Sequence, residues 1–110
     1  MTFEEMFARV KEMFQTADVS GIPEHLAYQF NIIGDAAGAF YVELKDGALA
    51  IEPYEYHDRD ALFTCSADTL FKIASGKTDP VAAVMLGKLK VEGSIEKALR
   101  LKDLLAKARQ

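Results

Sequence analysis

Between Leu26 and Tyr54 the apolar residues recur at every second position, and Asp46-Gly47 interrupts the pattern between its second and third runs. A period of two puts successive side chains on opposite faces of an extended chain, so it calls for strands with one buried side. Leu26, Tyr28, Phe30 and Ile32 share one face of the first run, with Ala27, Gln29 and Asn31 on the other. Phe40, Val42 and Leu44 alternate with Tyr41, Glu43 and Lys45 in the second. Asp46-Gly47 suits a two-residue type I′ turn, whose positive φ angles glycine accepts without steric cost. A third run from Ala48 to Tyr54 completes an antiparallel meander.

The flanks carry helical signals instead. Thr2 and Glu5 form a capping box, and Phe3, Met6, Phe7, Val10, Met13, Phe14 and Ala17 then recur at spacings of three and four. Ser20-Gly21-Ile22-Pro23 ends that helix. After the meander, Glu52 to Asp60 is polar and aromatic and holds Pro53, so it reads as a surface crossover. Ala61 to Cys65 is a fourth strand. Ser66 caps a helix that runs to about Ser75 and stops at Gly76. Asp79-Pro80 opens another, with Asp as N-cap and Pro at the first helical position, and Gly87 closes it. Leu89 and Val91 mark a fifth strand. Gly93-Ser94 opens a last helix carrying Ile95, Ala98, Leu99, Leu101, Leu104, Leu105 and Ala108.

The order is helix, three strands, crossover, strand, helix pair, strand, helix. It predicts an α+β fold, a single domain spanning 1–110, with a five-stranded mainly antiparallel sheet covered on one face by helices and largely in water on the other. At 110 residues, half of them apolar, the chain can bury one core. No apolar run approaches the roughly 18 residues of a membrane span, the longest being Val81 to Leu86. Thr2-Phe3-Glu4-Glu5 lacks the basic and apolar regions of a signal peptide, and Cys65 is the single cysteine, so a cytoplasmic protein without an internal disulfide is expected.

Charge is unevenly spread. Residues 1–60 carry 4 Lys and Arg against 12 Asp and Glu, and residues 61–110 carry 9 against 5. The basic half, with Lys97, Arg100, Lys102, Lys107 and Arg109 on the last helix, offers a contact for an anionic membrane surface or an acidic partner, or simply solvates that helix and suits its C-terminal dipole.

Candidates for chemistry are few. Gly76-Lys77-Thr78 imitates the end of a phosphate-binding loop, but Phe71 stands where that motif needs glycine, and a helix precedes it in place of a strand. His57, Asp58 and Cys65 offer a base and a thiol, yet Cys65 falls in an apolar strand where cysteine behaves as a small hydrophobe. Glu52, Glu55, His57, Asp58 and Asp60 could host a visiting cation but show no metal-ligand spacing, and His25 stands alone. An acidic chain without interleaved aromatic and basic residues is a poor nucleic-acid binder. No catalytic residue, metal or cofactor is therefore expected.

What remains is apolar surface. Val81, Ala82, Ala83, Val84, Met85 and Leu86 are apolar right round a short helix, which protein, partner or ligand must cover. Met6, Met13, Phe71 and Ile73 add to the supply, and either an ordinary core or a cavity wall would use them.

The strand Ala61-Leu62-Phe63-Thr64-Cys65, the helix with Leu70 and Ile73, Gly76-Lys77 followed by Asp79-Pro80, and Gly87-Lys88-Leu89-Lys90-Val91-Glu92-Gly93 together resemble the sterol carrier protein type 2 family. The likeness runs from about Leu26 to Leu105. It implies an apolar tunnel for fatty acids, acyl thioesters, sterols or phospholipids, lined by Phe30, Val42, Leu70, Ile73, Val81, Val84, Met85, Leu101 and Leu105. The implied function is non-catalytic lipid binding and transfer; the alternative is an accessory module that assists a lipid-modifying or quinone-biosynthesis enzyme. Val81 and Leu86 stand where eukaryotic members often carry polar residues, and Val84-Met85 where they often carry Phe-Phe, so a sterol preference does not carry over and a bacterial-type member is expected. A dozen buried methylenes yield on the order of 10 kcal/mol gross, and micromolar affinity needs about 8 kcal/mol net, so a partly filled tunnel would suffice.

Overall fold

A computed structural model describes residues 1–108. Of the cations expected on the last helix, Arg109 and the side chain of Lys107 lie outside the described residues. The elements are α1 (Phe3–Gln15), β1 (Leu26–Ile33), β2 (Gly38–Lys45), β3 (Ala48–Glu52), β4 (Ala61–Ser66), α2 (Ala67–Ala74), α3 (Pro80–Met85), β5 (Lys90–Gly93) and α4 (Ile95–Ala108). They form one α+β domain around a five-stranded sheet of order β3-β2-β1-β4-β5. Every neighbouring pair is antiparallel except β1 and β4, which run parallel.

Local chemistry sets the element ends. Thr2 and Glu5 exchange the two hydrogen bonds of a capping box, each 3.1 Å long. Ser66 and Asp79 cap α2 and α3 by accepting from Thr69 N–H and Ala82 N–H. Asp46 and Gly47 both have positive φ, 52° and 76°, and Lys45 pairs with Ala48, which is the type I′ hairpin. β3 stops at Glu52 instead of Tyr54 because Pro53 has no N–H to donate. β5 starts at Lys90, not Leu89, since the carbonyl of Ala83 takes the N–H groups of both Lys88 and Leu89 at the end of α3. That double bond turns the chain from helix straight into the edge strand.

The helix-bearing face of the sheet carries the core. Phe30 lies between Phe40 and Phe63, its ring centroid 4.9 Å and 5.1 Å from theirs, and both pairs are stacked. Met6, Val10 and Phe14 of α1, Leu70 and Ile73 of α2, and Leu101, Leu104 and Leu105 of α4 complete it. Dispersion contacts and removal of this apolar area from water supply the main stabilisation.

The other face is not simply open to water, which corrects the sequence expectation. β3 lies at one edge and β4 beyond β1, so the connection between them must cross β2 and β1 on the side away from the helices. Residues 53–60 make that crossing. Tyr56 N–H and Arg59 Nη1 donate to Gln29 Oε1, Gln29 donates to Asn31, and Tyr56 hydroxyl donates to Glu43 Oε2. Gln29 is consequently buried with its amide satisfied on both sides. Burial pushes the Glu43 carboxyl up, but the hydrogen bonds from Tyr56 and His25 outweigh it and hold the group below the usual carboxylate range. Asp60 accepts from Ala27 N–H and donates its own N–H to Ala27 carbonyl, extending the parallel ladder by one step.

Candidate functional site

Two hollows of similar size flank the helices. The first, between α1 and α2, has a volume near 660 Å³ and walls carrying Arg9, Glu12, Asp68 and Lys72. Lys72 pairs with Asp68 at 3.1 Å, Arg9 lies over the Phe71 ring, and Lys77 adds a further charge to the lining. The second, between α3, β5 and α4, has a volume near 650 Å³ and is mostly apolar. Such size and lining are those of small-molecule sites.

The second groove is built from three elements. Its floor is Phe63 and Val91 of the sheet, with Leu89 from the turn before β5. One wall is α3, through Pro80, Val81 and Val84; the other is α4, through Ile95, Ala98, Leu99 and Leu101. α3 is pinned at its start, where Asp79 caps the helix and pairs with Lys102 of α4 at 2.9 Å. Lys102, and the Ala82 N–H with it, hold the Asp79 carboxyl below its ordinary range. α3 is pinned at its end by the Ala83 carbonyl, and Ala83 is its one buried residue. The other α3 side chains are therefore left uncovered. Val81 is 47% exposed, Val84 44%, Met85 82% and Leu86 69%, and across the groove Ile95 and Leu99 are 61% and 59% exposed. Isolated exposed apolar residues are ordinary, but a group of them around a concave surface marks a binding site.

The residues named for the tunnel fall into two sets. Val81, Val84 and Leu101 line the open groove. Phe30, Val42, Leu70, Ile73 and Leu105 are buried in the core, Ile73 and Leu105 also lining a small hollow near 120 Å³ beside Asp79 and Lys102, and Met85 projects into water beyond the groove wall. The most apolar hollow is thus an open groove and not an enclosed channel. Phe63, Leu89, Lys90, Val91, Ile95 and Leu99 also line it and were not expected there. A signal for α4 exists in the sequence. At about 100° per residue, Ala98, Leu101, Leu104, Leu105, Ile95 and Leu99 sweep an arc of about 220°, wider than the roughly 100° stripe one sheet can cover.

The chemical candidates resolve differently. Cys65 is buried, and burial pushes its thiol up to about 11, away from the thiolate a nucleophile needs. His57 is exposed on the crossover, which crosses the opposite face of the sheet from the one Cys65 faces. A disulfide-exchange reagent at neutral pH is expected to leave Cys65 unmodified in the native protein and to modify it on unfolding; rapid native labelling would contradict its burial. Among the described residues, no group of three or more His, Cys, Asp or Glu side chains is placed to hold a metal ion. Asp60, from the acidic crossover run, instead pairs with Lys97 at 3.1 Å. The basic last helix is likewise engaged: Lys97, Arg100 and Lys102 pair with Asp60, Glu24 and Asp79, and Arg100 also with Asp103. No helix among the described residues is long and apolar enough to cross a membrane.

Comparison with known proteins places these features in context. Residues 8–106 match the model of the SCP-2 sterol transfer family. Hydroxysteroid dehydrogenase-like protein 2 of Mus musculus is 33% identical over 103 residues, covering 93% of this chain and 21% of the mouse protein. The chain thus spans only about a fifth of the length of that curated relative. Among solved structures, the UbiJ-SCP2 ubiquinone synthesis protein superposes with a TM-score of 0.76 at 14% identity, covering 96% of each chain. Sterol carrier protein 2 of Aedes aegypti, solved in complex with palmitate, superposes with a TM-score of 0.68 at 22% identity, covering 96% of this chain and 94% of that one. At these identities the structural matches establish the fold.

Proposed function

Since the chain belongs to the SCP-2 sterol transfer family, we propose that it binds and hands on lipids without catalysing a reaction on them, and that the α3–β5–α4 groove receives the acyl chain. The observation that carries this is the pairing of an apolar concave floor with uncovered Val81, Val84, Ile95 and Leu99 on its two walls. A bound chain would cover side chains that α3 and α4 leave in water. Palmitate in the Aedes aegypti protein supports an acyl ligand for the fold; fatty acids, acyl thioesters and phospholipids share that chain. Phe30, Val42, Leu70, Ile73 and Leu105 would enter a ligand site only if the core opened, and Met85 would meet a donor or acceptor membrane.

Native mass spectrometry and displacement of a fluorescent fatty acid test the proposal. Saturable displacement in the micromolar range is expected, and the absence of both bound lipid and displacement would end it. A second reading, an accessory module for a lipid-modifying or quinone-synthesis enzyme, draws support from the likeness to a ubiquinone synthesis protein and from the small share of the dehydrogenase-like relative that the chain spans. Cytoplasmic residence belongs to the same proposal, since an unpaired cysteine suits a reducing compartment. A bacterial-type protein is proposed from Val81, Val84, Met85 and Leu86 alone, because the organisms named for its relatives above are eukaryotic.

A further inference from the structure

Six large apolar side chains left exposed among the described residues, Val81, Val84, Met85, Leu86, Ile95 and Leu99, belong to α3, α4 or the turn that ends α3. Four of them stand on the groove walls; Met85 and Leu86 do not line it. These two are the most exposed of the six, and they immediately precede Gly87, whose φ of 74° turns the chain toward β5. They form an apolar tip at the end of the groove that no described part of the chain covers. Residues 81–91 hold Lys88 and Lys90 and no carboxylate. Both lysines are exposed, and among the described residues neither is in an ion pair, unlike Lys97, Arg100 and Lys102 of α4. The carboxylates nearest along the chain lie elsewhere: Asp79 is held by Lys102 at the other end of α3, and Glu92 lines a hollow with Arg59. Two residues separate Lys88 from Leu86, so their backbones lie within about 7 Å, less than a Debye length of about 8 Å. Lys90 leaves the sheet on the crossover face, with Thr64 and Asn31, so it adds to the field around the tip and not to the groove.

An apolar tip beside unpaired lysines matches a surface where apolar side chains enter among acyl chains and cations meet phosphates. We propose that the α3–β5 turn docks the protein on an anionic bilayer, with Met85 and Leu86 entering the headgroup boundary and Lys88 pairing with lipid phosphate. The proposal rests on the groove being a lipid site and names the surface with which that site exchanges lipid. The charge distribution sets the orientation. Residues 1–60, including α1 with Glu4, Glu5 and Glu12, carry 12 of the 17 Asp and Glu, so an anionic surface repels that half. A bilayer also fits the tip better than a second copy of this chain does. A two-fold contact between tips would set Lys88 near Lys88, with no carboxylate in residues 81–91 to offset the repulsion.

The test uses the full chain, which contains no tryptophan, so Met85→Trp places a single fluorescent reporter on the tip. Tyr54→Trp, made separately, places one just past β3, at the opposite edge of the sheet from β5. The probes are vesicles of phosphatidylcholine alone and of equimolar phosphatidylcholine and phosphatidylglycerol. On the mixed vesicles the Met85→Trp emission is expected to move to shorter wavelength and to be quenched by lipids brominated on their acyl chains, with Tyr54→Trp unchanged. Cosedimentation with mixed vesicles should exceed that with neutral ones by roughly three- to tenfold, the difference shrinking as salt rises. The double variant Met85→Ser, Leu86→Ser should weaken cosedimentation by roughly tenfold or more. Lys88→Gln should weaken it by roughly threefold on the mixed vesicles only, and Lys45→Gln at the distant β2–β3 hairpin should leave it unchanged. Absence of vesicle binding by the native protein overturns the proposal, as does binding that survives the double serine variant, or an equal emission shift at position 54. A shift that appears without vesicles as protein concentration rises assigns the tip to a second copy and overturns it too. Displacement of a fluorescent fatty acid in solution reads the groove independently and should persist in the double serine variant, since neither side chain lines the groove. Loss of vesicle binding with displacement intact removes the docking surface alone; absence of displacement by the native protein with vesicle binding intact removes the groove reading alone.

Discussion

Phe30→Ala is expected to lower the unfolding free energy by about 3–5 kcal/mol, the range for truncating a buried aromatic residue. The Phe30 ring is sandwiched between Phe40 and Phe63 and is buried against β2 and β4 neighbours that cannot collapse far, since all three strands are hydrogen-bonded in one sheet. For a domain of this size, that loss lowers Tm by roughly 10–25 °C. Urea or thermal unfolding followed by circular dichroism reads it directly. The same variant separates a filled core from a channel. If Phe30 lined an open channel, truncation would add space to a void already present, cost little stability, and shift the preferred length of bound acyl chains. A change of less than about 1 kcal/mol would therefore overturn the placement of Phe30 in the core.

What was legible in the sequence followed how local its cause is. The alternation of Phe40, Val42 and Leu44, the positive-φ pair Asp46-Gly47, and the caps at Thr2, Ser66 and Asp79 each depend on a few consecutive residues, and each stands where the pattern put it. The burial of Ala27 and Gln29 did not show, because it arises only after β4 pairs with β1 and obliges residues 53–60 to cross that face. Tyr56 and Glu43 are 13 positions apart and Arg59 and Gln29 are 30 apart, so nothing in their immediate neighbourhood announces the contact. The groove was half legible. An all-round apolar α3 pointed to Val81 and Val84, whereas the part played by Leu89 and Val91 depends on how α3 hands the chain to β5 through the Ala83 carbonyl. Charge counting identified a basic half, but Lys97, Arg100 and Lys102 proved to be partners of carboxylates from distant segments.

Val81→Asp is expected to weaken acyl-chain binding by about tenfold or more while leaving the fold intact. Val81 lies in the first turn of α3, where a carboxylate interacts favourably with the helix dipole, so the substitution carries no helix-end penalty. Its side chain is nearly half exposed in the free protein, and surface substitutions of that kind usually change stability by under 0.5 kcal/mol. On binding, however, the acyl chain would press against the new carboxylate and strip part of its hydration, and burying an uncompensated polar group costs about 1–3 kcal/mol. At 1.4 kcal/mol per factor of ten, the loss is about one to two decades of affinity. Val81→Asn separates this desolvation from any repulsion of a charged ligand head: it should weaken acids and alcohols alike, and by less than Val81→Asp. Displacement titrations beside a thermal melt measure both quantities. Unchanged displacement by Val81→Asp, with an unchanged melt, would mean that the ligand does not touch α3, and would move the acyl site from the groove to the core lined by Phe30, Val42 and Leu70.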